Sequence, residues 1–161
     1  MQVQDTLPTP KIFIGLDIHK SSWTVSIQTD LFFHKTYSMP SASEDRYQYV
    51  ERTFPNYDVE MVYEAGCCGF SAARFFINLS WNVLVVNPAD VKTGDKERYQ
   101  KTDALDSKNL CNQLKAGVLK GIYIPSEAHE QFTTLARHRT QVTKNLDRLN
   151  RTLKGCYFFT E

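Results

Sequence analysis

No run of apolar residues in this 161-residue chain approaches the roughly 20 needed to span a bilayer. The opening residues, "MQVQDTLPTPK", lack the apolar stretch of a secretory signal. Both absences make the cytoplasm the expected compartment. Cysteine is sparse: Cys67, Cys68, Cys111 and Cys156 offer no C-x-x-C spacing, so a zinc knuckle or dithiol redox motif is excluded. Adjacent Cys67 and Cys68 are a poor start for a disulfide framework, and reduced thiols are expected. Glycine-rich phosphate motifs are missing too. Neither G-x-x-x-x-G-K-[ST] nor a G-x-G-x-x-G first turn occurs, and Gly69-Phe70-Ser71-Ala72 does not fit a G-x-S-x-G elbow. His19, His34, His129 and His138 share no metal-ligand spacing. An actin-like ATPase also opens on a strand with a buried aspartate. It needs a glycine-rich phosphate turn next, and His19-Lys20-Ser21-Ser22 supplies none.

What is present suits an ordinary globular domain, perhaps with an extension. Hydrophobic residues make up 42%, enough for a core, and charged ones 23%. The net charge of +1 points to no partner, but it is unevenly spread. Residues 1–88 carry 6 Lys/Arg against 9 Asp/Glu, whereas residues 89–161 carry 13 against 9. The positive half suits a polyanion as well as it suits a bland gradient.

Residues 1–10 read as a disordered arm. Residues 11–19 read as a central strand, apolar on both faces, followed by strands over 22–28 and 31–38 in a meander. Ser43 is placed to cap a helix over 44–54, with Tyr47, Val50 and Phe54 inward. A strand over 58–64, a helix near 69–80 and a strand over 82–86 follow. Residues 89–102 read as a flexible loop, and 103–118 as a helix with Ala104, Cys111, Leu114 and Val118 on one face. This order predicts an α/β layer with a mixed sheet over 11–125, of ribonuclease H-like arrangement. From Ala128 to Cys156, through Phe132, Leu135, Arg139, Val142, Leu146, Leu149 and Leu153, alternating steps of four and three make a heptad register broken once by Arg139. It predicts one long helix within 126–161 that packs on another, with Phe132, Leu135, Val142, Leu146, Leu149 and Leu153 as a dimerisation seam. Arg137, Lys144, Arg148, Arg151 and Lys154 line its other faces, as a solvated surface or a nucleic-acid contact.

The carboxylates carry the chemistry. Asp17 interrupts the apolar run "IFIGLDIHK", and burying a lone carboxylate is costly. Glu64 closes the fourth strand, where it could equally meet solvent. Asp103 and Asp106 share a helical face at i, i+3 spacing. Asp103 could instead be an N-cap, with Asp106 complementing the helix dipole. If the first and fourth strands are neighbours, Asp17 and Glu64 approach, and close like charges call for a cation. Oxygen ligands suit Mg²⁺ or Mn²⁺, and two such ions serve phosphodiester chemistry. His19 either touches substrate or is structural. Lys20 either meets a phosphate or is a surface lysine.

The motifs "IGLDIHKSSWTVSI", "MVYEAGCCGF", "VVNP" and "KTDALDSKNL" stand in an order that resembles the DEDD transposases of bacterial insertion elements, relatives of Piv-like invertases and of bridge-RNA-guided recombinases. The resemblance continues into "IYIPSEAHEQFTTLARHR". It implies a RuvC-like domain over 11–125 whose four catalytic, metal-binding acids are Asp17, Glu64, Asp103 and Asp106. It implies two Mg²⁺ or Mn²⁺ ions, DNA as substrate, a guide RNA as a possible partner, and DNA cleavage with strand transfer. Lys20 and Lys101 are the nearest candidates for contact with nucleic acid. Two departures stand out. Cys67-Cys68 replace the usual residues after E-A-G, and Ser107 replaces a small alanine after the fourth acid. Such transposases carry a second domain with a nucleophilic serine after the long helix, so this chain is expected to be a fragment with little strand exchange of its own. The alternative is a nucleic-acid-binding and dimerising module without chemistry.

Overall fold

The computed structural model describes residues 9–40, 43–66, 68–92 and 102–157. Most of the expected arm, Cys67, Lys101 and much of the expected 89–102 loop lie outside them. The chain divides into two compact units, Met1–Ile124 and Pro125–Glu161.

The first unit is built on strands β1 (Lys11–Ile18), β2 (Ser22–Thr29), β3 (Phe33–Pro40), β4 (Asp58–Glu64) and β5 (Asn82–Val86). Helix α1 (Ser43–Thr53) precedes β4, α2 (Ser71–Asn78) precedes β5, and α3 (Asp103–Lys115) follows a 3-10 turn at Pro88–Asp90. The sheet order is β3-β2-β1-β4-β5, with β1 at the centre. β1 pairs antiparallel with β2, and β2 with β3. β1 pairs parallel with β4, and β4 with β5. This is a mixed α/β sheet consistent with a ribonuclease H-like fold.

Alternation along β1 divides its side chains between two layers. Ile12, Ile14 and Leu16 join the main core with Val50 and Phe54, and with Ala73 and Phe76 of α2. Gly15 lies on the opposite face, beneath α3. A Cβ there would overlap the Ser107 carbonyl oxygen and come 2.6 Å from the Cys111 nitrogen. The helix therefore rests on bare backbone. Val62 and Val86 complete this second layer with Leu110. Cys111 donates its thiol proton to the Phe13 carbonyl at 3.2 Å, and burial pushes that thiol up to about 12. A buried charge missing from the sequence reading is Arg46, stacked 3.9 Å from the Trp23 ring and donating to the Pro40 carbonyl at 2.8 Å.

Three elements differ from the sequence expectation by two residues or more at an end. β3 starts at Phe33 rather than 31, because the Thr29 hydroxyl accepts from the Leu31 and Phe32 amides and holds them in a turn. α2 is shorter than 69–80, bracketed by positive φ at Gly69 and Ser80. α3 stops at Lys115 rather than 118. Gly117 takes φ 65°, its amide bonds the Leu114 carbonyl, and the Val118 amide bonds that of Gln113. This is a Schellman stop. The buried face of α3 is consequently Ser107, Leu110 and Cys111, while Ala104 and Val118 are exposed.

The second unit is one helix, α4 (Glu127–Tyr157), of 31 residues. At 1.5 Å per residue it is about 46 Å long. The Ser126 hydroxyl caps it by accepting from the His129 amide at 3.3 Å. Phe132, Leu135, Val142, Leu146, Leu149 and Leu153 are all exposed, between 52% and 73%. Among the described residues no helix is long and apolar enough to cross a membrane.

Candidate active site

Asp17 follows Gly15 by two residues, so it shares the face of β1 covered by α3. The central parallel pairing runs as far as Leu16 with Tyr63. One register step on, Asp17 and Glu64 end neighbouring strands on that same face. Strand β1 is halted by a tight turn in which the His19 amide donates to the Ser22 carbonyl at 3.0 Å. The turn folds the imidazole back over the strand end.

Asp103 and Asp106 come from the first turn of α3. The cap of that helix is Thr102, whose hydroxyl accepts from the Leu105 amide at 3.3 Å. Asp103 therefore stands at the first helical position and not at the cap. Its carboxylate is turned to the sheet edge. His19 Nε2 lies 3.3 Å from Asp17 Oδ2 and 3.5 Å from Asp103 Oδ1. One ligand atom from each of Asp17, His19 and Asp103 falls within 4.8 Å of the others. These three would be the residues to hold such an ion, and their carboxylate oxygens are donors of the kind that Mg²⁺ or Mn²⁺ takes.

The electrostatics point the same way. Burial raises the Asp17 pKa above the ordinary carboxylate range, His19 opposes the rise, and the charges of Asp103 and Asp106 add to it. Asp106 is thus within electrostatic reach of Asp17 without belonging to the three-residue set. Glu64 is half-buried at the end of β4 and is likewise outside that set. Of the four acids singled out from sequence, then, Asp17 and Asp103 are brought together, and the other two flank them.

Lys20 is exposed in the turn after β1. Arg137, Lys144, Arg148, Arg151 and Lys154 are exposed along α4. Two features were missed in the sequence. His19 was read as a substrate contact or a structural residue, not as a partner of the acids, although its place in "DIHK", two residues beyond a strand-end aspartate, was a usable signal. The second is a hydroxyl relay. Ser107 Oγ donates to the Ala104 carbonyl at 3.2 Å and sits 2.9 Å from Ser26 Oγ, which sits 2.7 Å from Thr36 Oγ1. With the Ser107 proton committed, Ser26 donates to Ser107, and Thr36 donates to Ser26. Ser107 therefore ties the aspartate-bearing helix to the sheet.

A family model described as transposase, that of the DEDD transposases of the IS110 type, matches residues 14–157. A curated relative, "Putative transposase y4qE" of Sinorhizobium fredii (strain NBRC 101917 / NGR234), is 33% identical over 90 residues. That alignment takes in 55% of this chain and 22% of the relative, so the chain spans about a fifth of the relative's length. With 144 of its residues inside the family match, the chain belongs to the DEDD transposase family.

Proposed function

We propose that this chain is the RuvC-like catalytic domain of a DNA transposase or recombinase, holding Mg²⁺ or Mn²⁺ through Asp17, Glu64, Asp103 and Asp106. The observation that carries the reading is the meeting of half-buried Asp17 with Asp103 and His19 at the end of the central strand. The fold presses like charges together where a cation would relieve them. When bound, a pair of such ions polarises a phosphodiester and stabilises its attacking and leaving oxygens. The chain's own contribution is positional. Asp17 is fixed by β1. Asp103 and Asp106 are set by the Thr102 cap and by the seating of α3 on Gly15. His19 holds the two nearer carboxylates in register. Strand transfer would draw on a serine from a further domain, as the family resemblance implies, and a guide RNA rests on that resemblance alone.

The test is a Mn²⁺ titration followed by calorimetry or by paramagnetic relaxation. Asp17→Asn keeps the shape and removes the charge, so binding should weaken at least tenfold, about 1.4 kcal/mol. Unchanged affinity would remove the site.

The exposed apolar stripe of α4 supports a second role, self-association of that helix as a coiled coil. The basic residues along its other faces would then remain free for nucleic acid.

A further inference from the structure

Beside Asp103 the first unit has a shallow, open depression of about 520 Å³, lined by Thr24, Thr36, Tyr37, Ser38, Thr102, Asp103 and Ala104. Its floor is the outer part of the sheet. Thr24 faces the α3 side, two residues from Ser26, and Thr36 and Ser38 do the same from β3. Tyr37 turns its ring to the other face, against the main core, and lines the hollow with backbone. What the sheet offers here is a row of small hydroxyls.

Their protons are not equivalent. The Thr36 proton is spent inward on Ser26, so Thr36 presents only lone pairs. The Thr102 oxygen accepts from the Leu105 amide, which leaves its proton free to point outward. Ser38 is exposed on the edge strand beside its nearly buried cross-strand partner Thr24, and with Thr102 they line the depression with neutral hydroxyls. One helical turn beyond Ala104, Lys108 lies 4.7 Å from the centre of the Phe33 ring. Phe33 is 37% exposed and sits on the same face of β3 as Thr36 and Ser38. From Ser38 back to Phe33 the strand extends about 17 Å. Hydroxyl donors, then an aromatic ring with a cation over one face, follow one another along a line that begins at Asp103.

We infer that this trough receives a single strand of DNA, with phosphates against Thr24, Ser38 and Thr102, and a base or sugar against Phe33 beside Lys108. The inference rests on the proposed function and specifies the side from which substrate reaches the acids. Neutral hydroxyls are common phosphate donors and carry no sequence information. Aromatic rings accept any base by stacking. A single strand can lay a phosphate on the hydroxyls and turn a base to the ring at the same time.

The experiment measures binding of a fluorescent oligothymidylate by anisotropy across a salt series, beside a duplex of equal length. Mn²⁺ affinity is determined for every variant. Thr24→Val/Ser38→Ala should weaken single-strand binding roughly tenfold, about 1.4 kcal/mol, with the salt slope unchanged. Lys108→Gln should lower that slope by about one. Ser38→Trp plugs the trough from an exposed position without disturbing the core and should abolish single-strand binding. In each variant Mn²⁺ affinity should stay at the wild-type value. Affinity within twofold of wild type in both Ser38 variants overturns the inference. So does a wild type that binds only duplex, or a parallel loss of Mn²⁺ binding in the hydroxyl variants, which would mark distortion of the site. A wild type without Mn²⁺ affinity whose strand binding still falls in these variants overturns the metal reading and leaves the trough standing.

Discussion

Gly15→Ala tests how the sheet holds the aspartate-bearing helix. The added methyl would overlap the Ser107 carbonyl oxygen and reach within 2.6 Å of the Cys111 nitrogen. Both are backbone atoms, so no change of rotamer relieves them. Ordinary contact begins at 3.4 Å, and the helix must therefore retreat by at least about 0.8 Å, the difference between the two distances. Such a retreat stretches the 2.9 Å Ser26–Ser107 contact beyond hydrogen-bonding range and loosens Leu110 from Val62 and Val86. Overpacking of this kind costs about 1–3 kcal/mol, and the lost buried hydrogen bond about 1 kcal/mol more. Reduced entropy of the unfolded chain returns up to about 1 kcal/mol. A net loss of about 2 kcal/mol is expected in urea unfolding with unchanged m value. Since functional geometries tolerate about 0.5 Å of error, Mn²⁺ affinity should fall as well. Gly117→Ala is the comparison. Its methyl meets nothing within 4 Å, but φ is +65°. It should cost about 1–2 kcal/mol of stability with no loss of metal affinity. A Gly15→Ala protein within about 0.5 kcal/mol of wild type would refute the reasoning, since surface-like tolerance is incompatible with a backbone clash.

Asp17→Asn should match or exceed wild-type stability at neutral pH without metal. The folded-state pKa of Asp17 is raised, so the native state holds its proton longer than the unfolded chain. Stability from that group is present at acid pH and is lost as pH rises through the folded value. The advantage of Asn should therefore fade toward acid in a series of urea midpoints, and growth toward acid would contradict the assignment. Leu146→Glu/Leu149→Glu places charges on the exposed stripe of α4 and should turn a self-associating chain into a monomer on sedimentation. A monomeric wild type at tens of micromolar, a range in which modest interfaces assemble, would remove the coiled coil. The Cys111 thiol, pushed up to about 12 and donating to the Phe13 carbonyl, should resist iodoacetamide in the native protein at mildly alkaline pH. Rapid native labelling of Cys111 in a peptide map would mean that α3 does not stay seated.

Much of the fold was legible because alternation and turn residues are local signals. β4 and β5 follow from "DVEMVYE" and "NVLVV" with their flanking turns, and β1 as the central strand from apolar residues on both faces. The boundaries that moved were decided by hydrogen bonds that periodicity does not encode. The Thr29 hydroxyl captured two amides, and Gly117 closed α3 three residues early. At the site, i, i+3 spacing gave the shared face of Asp103 and Asp106, but not which of them meets Asp17. That depended on where the cap fell, and Thr102 took it. The approach of His19 to Asp17 and Asp103 was only hinted at in the sequence, for a related reason. Its imidazole reaches the acids only because the chain turns at Ser22, so its role is tertiary rather than a matter of spacing.

The small residues around the acids belong to the same mechanism as the acids. Gly15 stands two residues before Asp17, and Ser107 directly follows Asp106. At Gly15 the bare strand admits the backbone of α3, at the Ser107 carbonyl and the Cys111 amide. A helix carrying two carboxylates toward a third is pushed away by their mutual repulsion when no cation is bound. Something other than the acids must hold it in place. Here that is the bare surface at Gly15, Leu110 in its apolar layer, and the Ser107 hydroxyl bonded to Ser26. A serine at 107 fits this need. It keeps the residue small enough for the close approach and adds a bond to the sheet. Ser107→Ala should accordingly leave α3 seated, with a loss of about 1 kcal/mol from its hydrogen bond to Ser26. The Ser107→Ala/Ser26→Ala double variant should lose less than the sum of the single ones, because the bond they share is lost only once. If the double variant is no better than the sum of the single ones, the relay is incidental to the packing of α3.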